Sequence, residues 1–356
     1  MQNPNMAKTF HNVFVTGGCG FIGSNFIRYY YHAHPEATIV NLDLLTYAGN
    51  PTNLSDLEAQ QLQQPMAARR YRFIHGDICD EALVERLFQE GNFDLVVHFA
   101  AESHVDRSIF SVVHFVRTNI EGTRVLVEAV RRHLVPRFVH ISTDEVYGSI
   151  PAGAATEATL LQPSNPYSAS KAGADLLVQA YMRTYRIPAV IIRATNNYGP
   201  FQYPEKLIPL ALTNLLEGKK IPVHGHGQHV RSWLHVQDFS RAIEVIASQA
   251  PDFSIYNVAG EERTVREVLA VLTRLLKQDL EAALQFVNDR PGADLRYAAD
   301  CTKLERELGW SRQHQFEESI NEVVNWYAAN HPWWKEIRLK AGFLEHYERQ
   351  SNGRWC

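Results

Sequence analysis

Short β-branched runs alternate with longer amphipathic stretches through the first half of the chain. NVFVTG, from Asn12, and TIVNLD, from Thr38, are apolar enough for buried strands, and FIGSNFIRYYYHA between them repeats apolar residues at helical spacing. RYRFIHGD, FDLVVHFAA, RFVHIST and IPAVIIRATN read as four further strands. FSVVHFVRTNIEGTRVLVEAVRRHL, from Phe110 to Leu134, reads as one long helix. This alternation predicts an α/β fold of Rossmann type, a doubly wound parallel sheet with helices on both faces. A polar, Gln-rich insertion between Leu44 and Arg70 interrupts the pattern and is expected to run over the surface.

Past Arg193 the periodicity weakens, and Pro, Gly and aromatic residues are frequent up to about Gly227. Helical patterns return at 236–249, at 264–277 and in FEESINEVVNWYAANH. The expected organisation is a Rossmann domain over 1–193 with a returning segment at about 236–258. A smaller mixed α/β domain, for substrate, takes 194–235 and 259–356.

VTGGCGFIGS closes the first strand and opens the first helix. It reads as Gly18-x-Gly20-x-x-Gly23 or as Gly17-x-x-Gly20-x-x-Gly23. Such glycines let a pyrophosphate approach the N–H groups and positive dipole at a helix start. Asp43 ends the second strand 20 residues after Gly23, where a carboxylate accepts from ribose hydroxyls. That position favours NAD over NADP, with Arg69 and Arg70 as the residues that could alter the preference. Ligands of such sheets sit at the carboxyl ends of the strands. Asp77, after the third strand, is placed to reach the adenine, and Ala100 and Ala101, after the fourth, let the backbone lie against the cofactor.

NPYSASKAGADLL sets Tyr167 and Lys171 four apart, on one helical face. A free tyrosine ionises near pH ~10. An adjacent ammonium and a positive nicotinamide ring would favour the phenolate, a base for an alcohol proton. HISTDEVYGS places Thr143, Asp144 and Glu145 directly after the fifth strand. Adjacent acids repel each other, and a turn needs only one.

The 356 residues carry a net charge of −4, which gives no basic surplus for nucleic acid or an anionic membrane. Cys19, Cys79, Cys301 and Cys356 are scattered without a CxxC pair, against a disulfide framework or zinc ribbon. The first dozen residues lack the apolar core of a signal peptide, and no run of about 18 apolar residues follows. The expected location is the cytoplasm.

Taken together, Gly17–Gly23, Thr143 and Tyr167-x-x-x-Lys171 resemble the extended short-chain dehydrogenase/reductase family. AAESHVDRSI, STDEVYG, NPYSASKA, NNYGPFQYPEKLIPL, PVHGHGQHVRSWLHVQD and NDRPGADLRYA are similar to its nucleotide-diphosphate-sugar 4,6-dehydratases, from the first strand nearly to the C-terminus. The resemblance implies NAD held by Gly17, Gly20, Phe21, Ile22, Gly23, Asp43, Asp77, Ile78, Ala100, Ala101, Tyr167 and Lys171. It implies dehydration of a nucleotide-linked hexose, with dTDP-glucose expected, to the 4-keto-6-deoxy sugar. Tyr167 takes the proton of the 4-hydroxyl, Thr143 hydrogen-bonds that oxygen, Glu145 removes the C5 proton and Asp144 protonates the departing 6-hydroxyl. One carboxyl held neutral by its neighbour's charge and by desolvation supplies such a pair. Related epimerases carry small residues in place of the two acids.

By the same resemblance Lys206, Arg231 and Arg290 face the diphosphate, Ser103, Asp106 and Arg107 lie near sugar and diphosphate, and Asn196 and Asn197 close a strand-end loop. Leu207, His224, Asn257 and Tyr297 are expected at the nucleotide end. Relatives acting on dTDP-glucose usually have Tyr at His224, His at Ala293 and Arg at Leu295, which leaves thymine against uracil open. The family pairs through a four-helix bundle, so a homodimer is expected through the Phe110–Leu134 and Tyr167 helices. A 4-epimerase, a decarboxylase and a catalytically silent NAD-binding sensor are the rival readings. His224, His226 and His229 form HxHxxH, but two glycines and no nearby Cys or acid argue against a metal.

Overall fold

The structure, a computed structural model, describes residues 7–353 and residue 355. Strand β1 (Asn12–Thr16) shows why its segment reads as buried. Val13 and Val15 enter one apolar core and Phe14 enters another, so both faces of the strand are covered. The same alternation runs through β4 (Leu95–His98), β5 (Phe138–Thr143) and β6 (Ala189–Ala194). With β2 (Thr38–Asp43), β3 (Tyr71–His75) and β10 (Ser254–Val258) they form one parallel sheet in the order β10-β6-β5-β4-β1-β2-β3. The order reverses between β1 and β4, which opens a crevice at their carboxyl ends. One face carries the helices Phe21–Ala33 and Val236–Gln249, the other Glu81–Gly91, Thr123–Arg132 and Pro166–Thr184.

A smaller unit holds β7 (Asn196–Tyr198), β9 (Val230–His235) and β11 (Glu261–Thr264) in one sheet and β8 (Ile221–His224) with β12 (Leu284–Val287) in another. Its own core joins Ile208, Leu212, Leu269, Phe316, Tyr327 and Trp334. Leu304 and Trp310, however, sit in the core of the large sheet, so the chain returns there once more than a single 259–356 segment allows.

Two expectations change. The long helix from Phe110 is broken at Ser111 and Val112, and Val113–Arg132 widens into a π segment over Val116–Gly122. Asn119 on that segment accepts from the Glu102 N–H (2.9 Å) and donates to the Glu102 carbonyl (3.0 Å). A widened turn commonly marks a functional site. The Leu44–Arg70 insertion, in turn, is not a plain surface loop. It forms Pro51–Leu54 and Ser55–Leu62, buries Leu54 and Leu57, and sends Thr46 to Gly49 into the crevice. No described helix is long and apolar enough to cross a membrane.

Candidate active site

The turns after β1, β2, β4, β5 and β6 open onto one cavity of about 280 Å³. Gly17 adopts φ +72°, and a Cβ there would meet the Ala100 nitrogen at 2.5 Å. Only glycine fits that close approach. Gly20 then caps the helix Phe21–Ala33 without a side-chain bond, so the first-turn N–H groups and the helix dipole stay open to an anion. Phe21, Ile22, Gly23, Asp77, Ile78, Ala100, Ala101 and Ser103 line the same space. Asp43 accepts from the backbone N–H of Cys19 and of Leu45, both at 2.8 Å, and its carboxylate keeps lone pairs for further donors. Asp77 is more engaged, accepting from the Cys79 N–H at 2.9 Å and pairing with Arg117 at 2.7 Å. Arg70 is spent on the carbonyls of Tyr31, His34 and Ala37, and neither it nor Arg69 lines the cavity. An anion-binding helix start followed by a carboxylate at the ribose distance along the chain fits a dinucleotide.

At the end of β5 the Thr143 hydroxyl accepts from the Glu145 N–H at 3.2 Å and starts the short turn Asp144–Tyr147. The turn puts the neighbouring acids in different surroundings. Asp144 is buried, Glu145 half-buried, and both line the cavity. Burial first, and then the Glu145 charge, push the Asp144 carboxyl up to about 8, against the opposing pull of Arg231 and the Thr143 hydroxyl. Burial thus favours the neutral form of Asp144. Asp144 Oδ2 and Glu145 Oε2 are buried without a protein partner, which leaves both to a ligand.

Tyr167 and Lys171 reach the cavity from the helix Pro166–Thr184, which Asn165 caps through the Ser168 N–H at 2.9 Å. One turn on, Asp175 grips Arg193 of β6 (2.9 and 3.0 Å) and accepts from Ser142 of β5 (3.1 Å), fixing the helix against both strands. The expected phenolate of Tyr167 depends on Lys171 and a positive nicotinamide ring together, and the protein supplies only the first. The Lys171 ammonium donates to the Ile141 carbonyl at 2.7 Å, and burial lowers it to about 8. Burial, followed by the Glu145 charge, raises Tyr167 above its ordinary range, and the Thr143 hydroxyl pulls it down. The chain surrounds this phenol with acids, so a positive charge has to come from the cofactor.

Glu145, Asn196, Gln202, Glu205 and Lys206 are shared with a second cavity of about 170 Å³. Asp106, Leu207, His224, Arg231 and Arg290 line it, and Asn197 belongs to the first. Lys206 donates to the Ser103 carbonyl at 2.8 Å, Arg290 pairs with Asp106 at 2.8 Å, and Arg231 stacks on Tyr297 at 4.2 Å. His224 stands edge-on to Trp355, with ring centres 5.1 Å apart.

Three expected substrate residues lie elsewhere. Asn257 is fully buried in β10, donating to the Ala155 and Asp300 carbonyls and accepting from the Tyr147 hydroxyl. Both of its amide N–H donors are spent, and it lines neither cavity. Tyr297 lines neither cavity; its hydroxyl donates to Asp294 and its ring supports Arg231. Arg107 also lines neither cavity, because Glu205 and the Tyr47 ring hold its guanidinium. Ala293 and Leu295, two of the departures from the relatives' pattern, face neither cavity. His229 pairs with Asp289 at 3.0 Å. The His and Asp side chains that do converge are His104, Asp106 and His346, but Arg107, Lys206 and Arg290 around them oppose a cation. Sequence reading missed Thr46, Tyr47, Glu102, Thr118, Gln202 and Gln350 at the cavities. Glu205 was missed as well, although it stands next to Lys206; Gln350, from the last helix, carries no local signal.

The GDP-mannose 4,6 dehydratase family matches residues 14–323. A dTDP-glucose 4,6-dehydratase of Streptomyces niveus is 46% identical over 332 residues, 92% of this chain and 95% of that protein. That of Escherichia coli is 40% identical over 355 residues, 91% and 96% of the two chains. DesIV, a dTDP-glucose 4,6-dehydratase from Streptomyces venezuelae crystallised with NAD bound, superposes with TM-score 0.86 at 45% identity, covering 91% of this chain and 99% of its own. A UDP-glucose 4-epimerase of Thermotoga maritima reaches TM-score 0.81 at 26% identity, over 90% and 99%. With its paired acids and dinucleotide crevice, the chain belongs to the GDP-mannose 4,6 dehydratase family and, within it, to the group of the dTDP-glucose 4,6-dehydratases.

Proposed function

We propose that the chain dehydrates dTDP-glucose to the 4-keto-6-deoxy sugar nucleotide, a hydro-lyase reaction with NAD as the resident cofactor. The observation that carries this reading is the buried Asp144 beside the half-buried Glu145, each with a carboxyl oxygen that no protein group meets, on the cavity shared with Tyr167 and Lys171. NAD, when bound, supplies a reversible two-electron acceptor with a positively charged ring. Gly17, Gly20, Phe21, Ile22, Gly23, Asp43, Asp77, Ile78, Ala100 and Ala101 would hold it.

Against that ring Tyr167 takes the 4-hydroxyl proton while Thr143 orients the oxygen. Oxidation at C4 acidifies the C5 hydrogen, which Glu145 removes as a proton. Asp144 gives its proton to the 6-hydroxyl, water leaves, the two electrons lost at C4 end at C6, and Glu145 returns a proton to C5. Lys206, Arg231 and Arg290 suit the diphosphate, the arginines through bidentate contacts. Ser103, Asp106, Asn196 and Asn197 line the stretch between the two cavities' ends, with Leu207 and His224 at the nucleotide end. An epimerase needs no elimination, so the acid pair favours dehydration. Residues 1–193 and 236–258 form the cofactor domain in this reading, with 194–235 and most of 259–356 binding the nucleotide sugar.

A homodimer fits the exposed apolar residues Val113, Val116, Leu176 and Tyr185 on Val113–Arg132 and Pro166–Thr184 and just beyond.

The test is incubation of purified protein with dTDP-glucose or UDP-glucose, without added NAD, and mass spectrometry of the products. Loss of one water from dTDP-glucose, faster than from UDP-glucose, is expected. Unchanged mass with a 4-epimer formed would overturn the reading.

A further inference from the structure

The loop that joins β2 to Pro51–Leu54 puts Thr46, Tyr47, Ala48 and Gly49 on the wall of the large cavity, beside Asp43 and Asp77. Tyr47 then leaves its own domain. With Ala48 it packs on Tyr203, Ile337 and Phe343, and its ring stands edge-on to that of Tyr203 with centres 5.7 Å apart. The Arg107 guanidinium covers the ring at 4.2 Å. That guanidinium is fixed in turn by Glu205 Oε2, through Nε at 3.2 Å and Nη2 at 2.9 Å, and by the Gly342 carbonyl at 3.3 Å. Glu205 is 1% exposed and Arg107 half-buried, and the two contacts to one carboxylate oxygen fix where the guanidinium lies. The Tyr47 hydroxyl, 3.4 Å from Ser103 Oγ, adds little by comparison.

Such investment in one loop side chain needs a reason, because a loop that merely connects two elements requires no ion pair to hold it. Parting the loop from the cavity means pulling the Tyr47 ring out from between Arg107 and Tyr203. We propose that Tyr47 is a latch that retains the dinucleotide, with Arg107 and Glu205 as positioning residues that hold it shut across the two domains. The inference rests on the NAD reading above. It gives Arg107 a role at the cofactor instead of the expected one at the substrate, and it explains a cofactor that stays through oxidation and re-reduction.

The test follows exchange of bound NAD for isotope-labelled NAD on the full-length protein, by mass spectrometry of the extracted cofactor. Tyr47→Ala and Arg107→Met are expected to exchange about tenfold faster than wild type, the scale of a lost cation–ring contact. Tyr47→Phe keeps the ring and is expected within about threefold of wild type. Cooperative melting in the presence of NAD checks that each variant is folded, and if Arg107→Met does not fold, the two Tyr47 variants decide. Wild-type exchange in Tyr47→Ala overturns the latch, and Tyr47→Phe exchanging as fast as Tyr47→Ala overturns the clasp on the ring. Wild-type protein that carries and takes up no NAD overturns the cofactor reading instead.

Discussion

Asp144 loses nearly all contact with water at 2% exposure and sits next to a second carboxyl, so its neutral form is favoured twice. Glu145, one residue on and half-buried, meets the same cavity from the other side of the turn. The division of labour follows from where each side chain ends up. Two variants separate the roles. Glu145→Gln should lower the uptake of solvent deuterium at C5 by about 10²- to 10⁴-fold, the usual weight of a general base. Asp144→Asn should keep that uptake and lose water elimination. Mass spectrometry of dTDP-glucose recovered from D₂O reads both, and undiminished C5 exchange in Glu145→Gln would remove it from the base role.

At the scale of elements, the helices that carry the site also show why a helical pattern is an incomplete guide. Residues 113–132 keep their apolar repeat through the π segment Val116–Gly122, because one widened turn shifts the phase too little to be seen in so short a stretch. The widening is set from outside the helix, where Asn119 bonds both backbone groups of Glu102 and the Ser170 hydroxyl. On the outer face Val113 (67% exposed), Val116 and Leu176 (56%) remain without cover. Charging this face with Val116→Lys and Leu176→Glu on separate chains should turn a dimer into monomers, read by light scattering during size exclusion. A wild-type monomer, or variants of unchanged mass, would count against the dimer.

For the molecule as a whole, the same buried acid links activity to stability. An ordinary aspartate titrates near ~3.9, whereas Asp144 is pushed up to about 8. Between those values the folded chain holds a proton that the unfolded chain has lost, so this residue's contribution is intact below about pH 4 and is lost as pH rises through about 8. Asp144→Asn removes the effect. Its stability should therefore gain on wild type from pH 5 to pH 9, by on the order of a few kcal/mol at most, read as a rising melting temperature relative to wild type. A constant difference across that range would show that Asp144 is not held neutral.

Much of this was legible along the chain. The centre of the large sheet was readable because β1, β4, β5 and β6 are buried on both faces and so need an unbroken apolar run. The glycine loop, Asp43, Thr143–Glu145 and Tyr167-x-x-x-Lys171 were readable because each is a local spacing set by one turn or one helix. Three assignments depended on contacts between distant segments. Asn257 is spent on Ala155 and Asp300, Arg107 turns to Glu205 and Tyr47, and the last helix brings Gln350 to the second cavity. The sequence alone determined that two adjacent acids close a strand at a dinucleotide crevice. Only the tertiary structure decided that the Asp144 carboxyl is pushed towards its neutral form, because that depends on how much water and which charges the packed chain leaves around it.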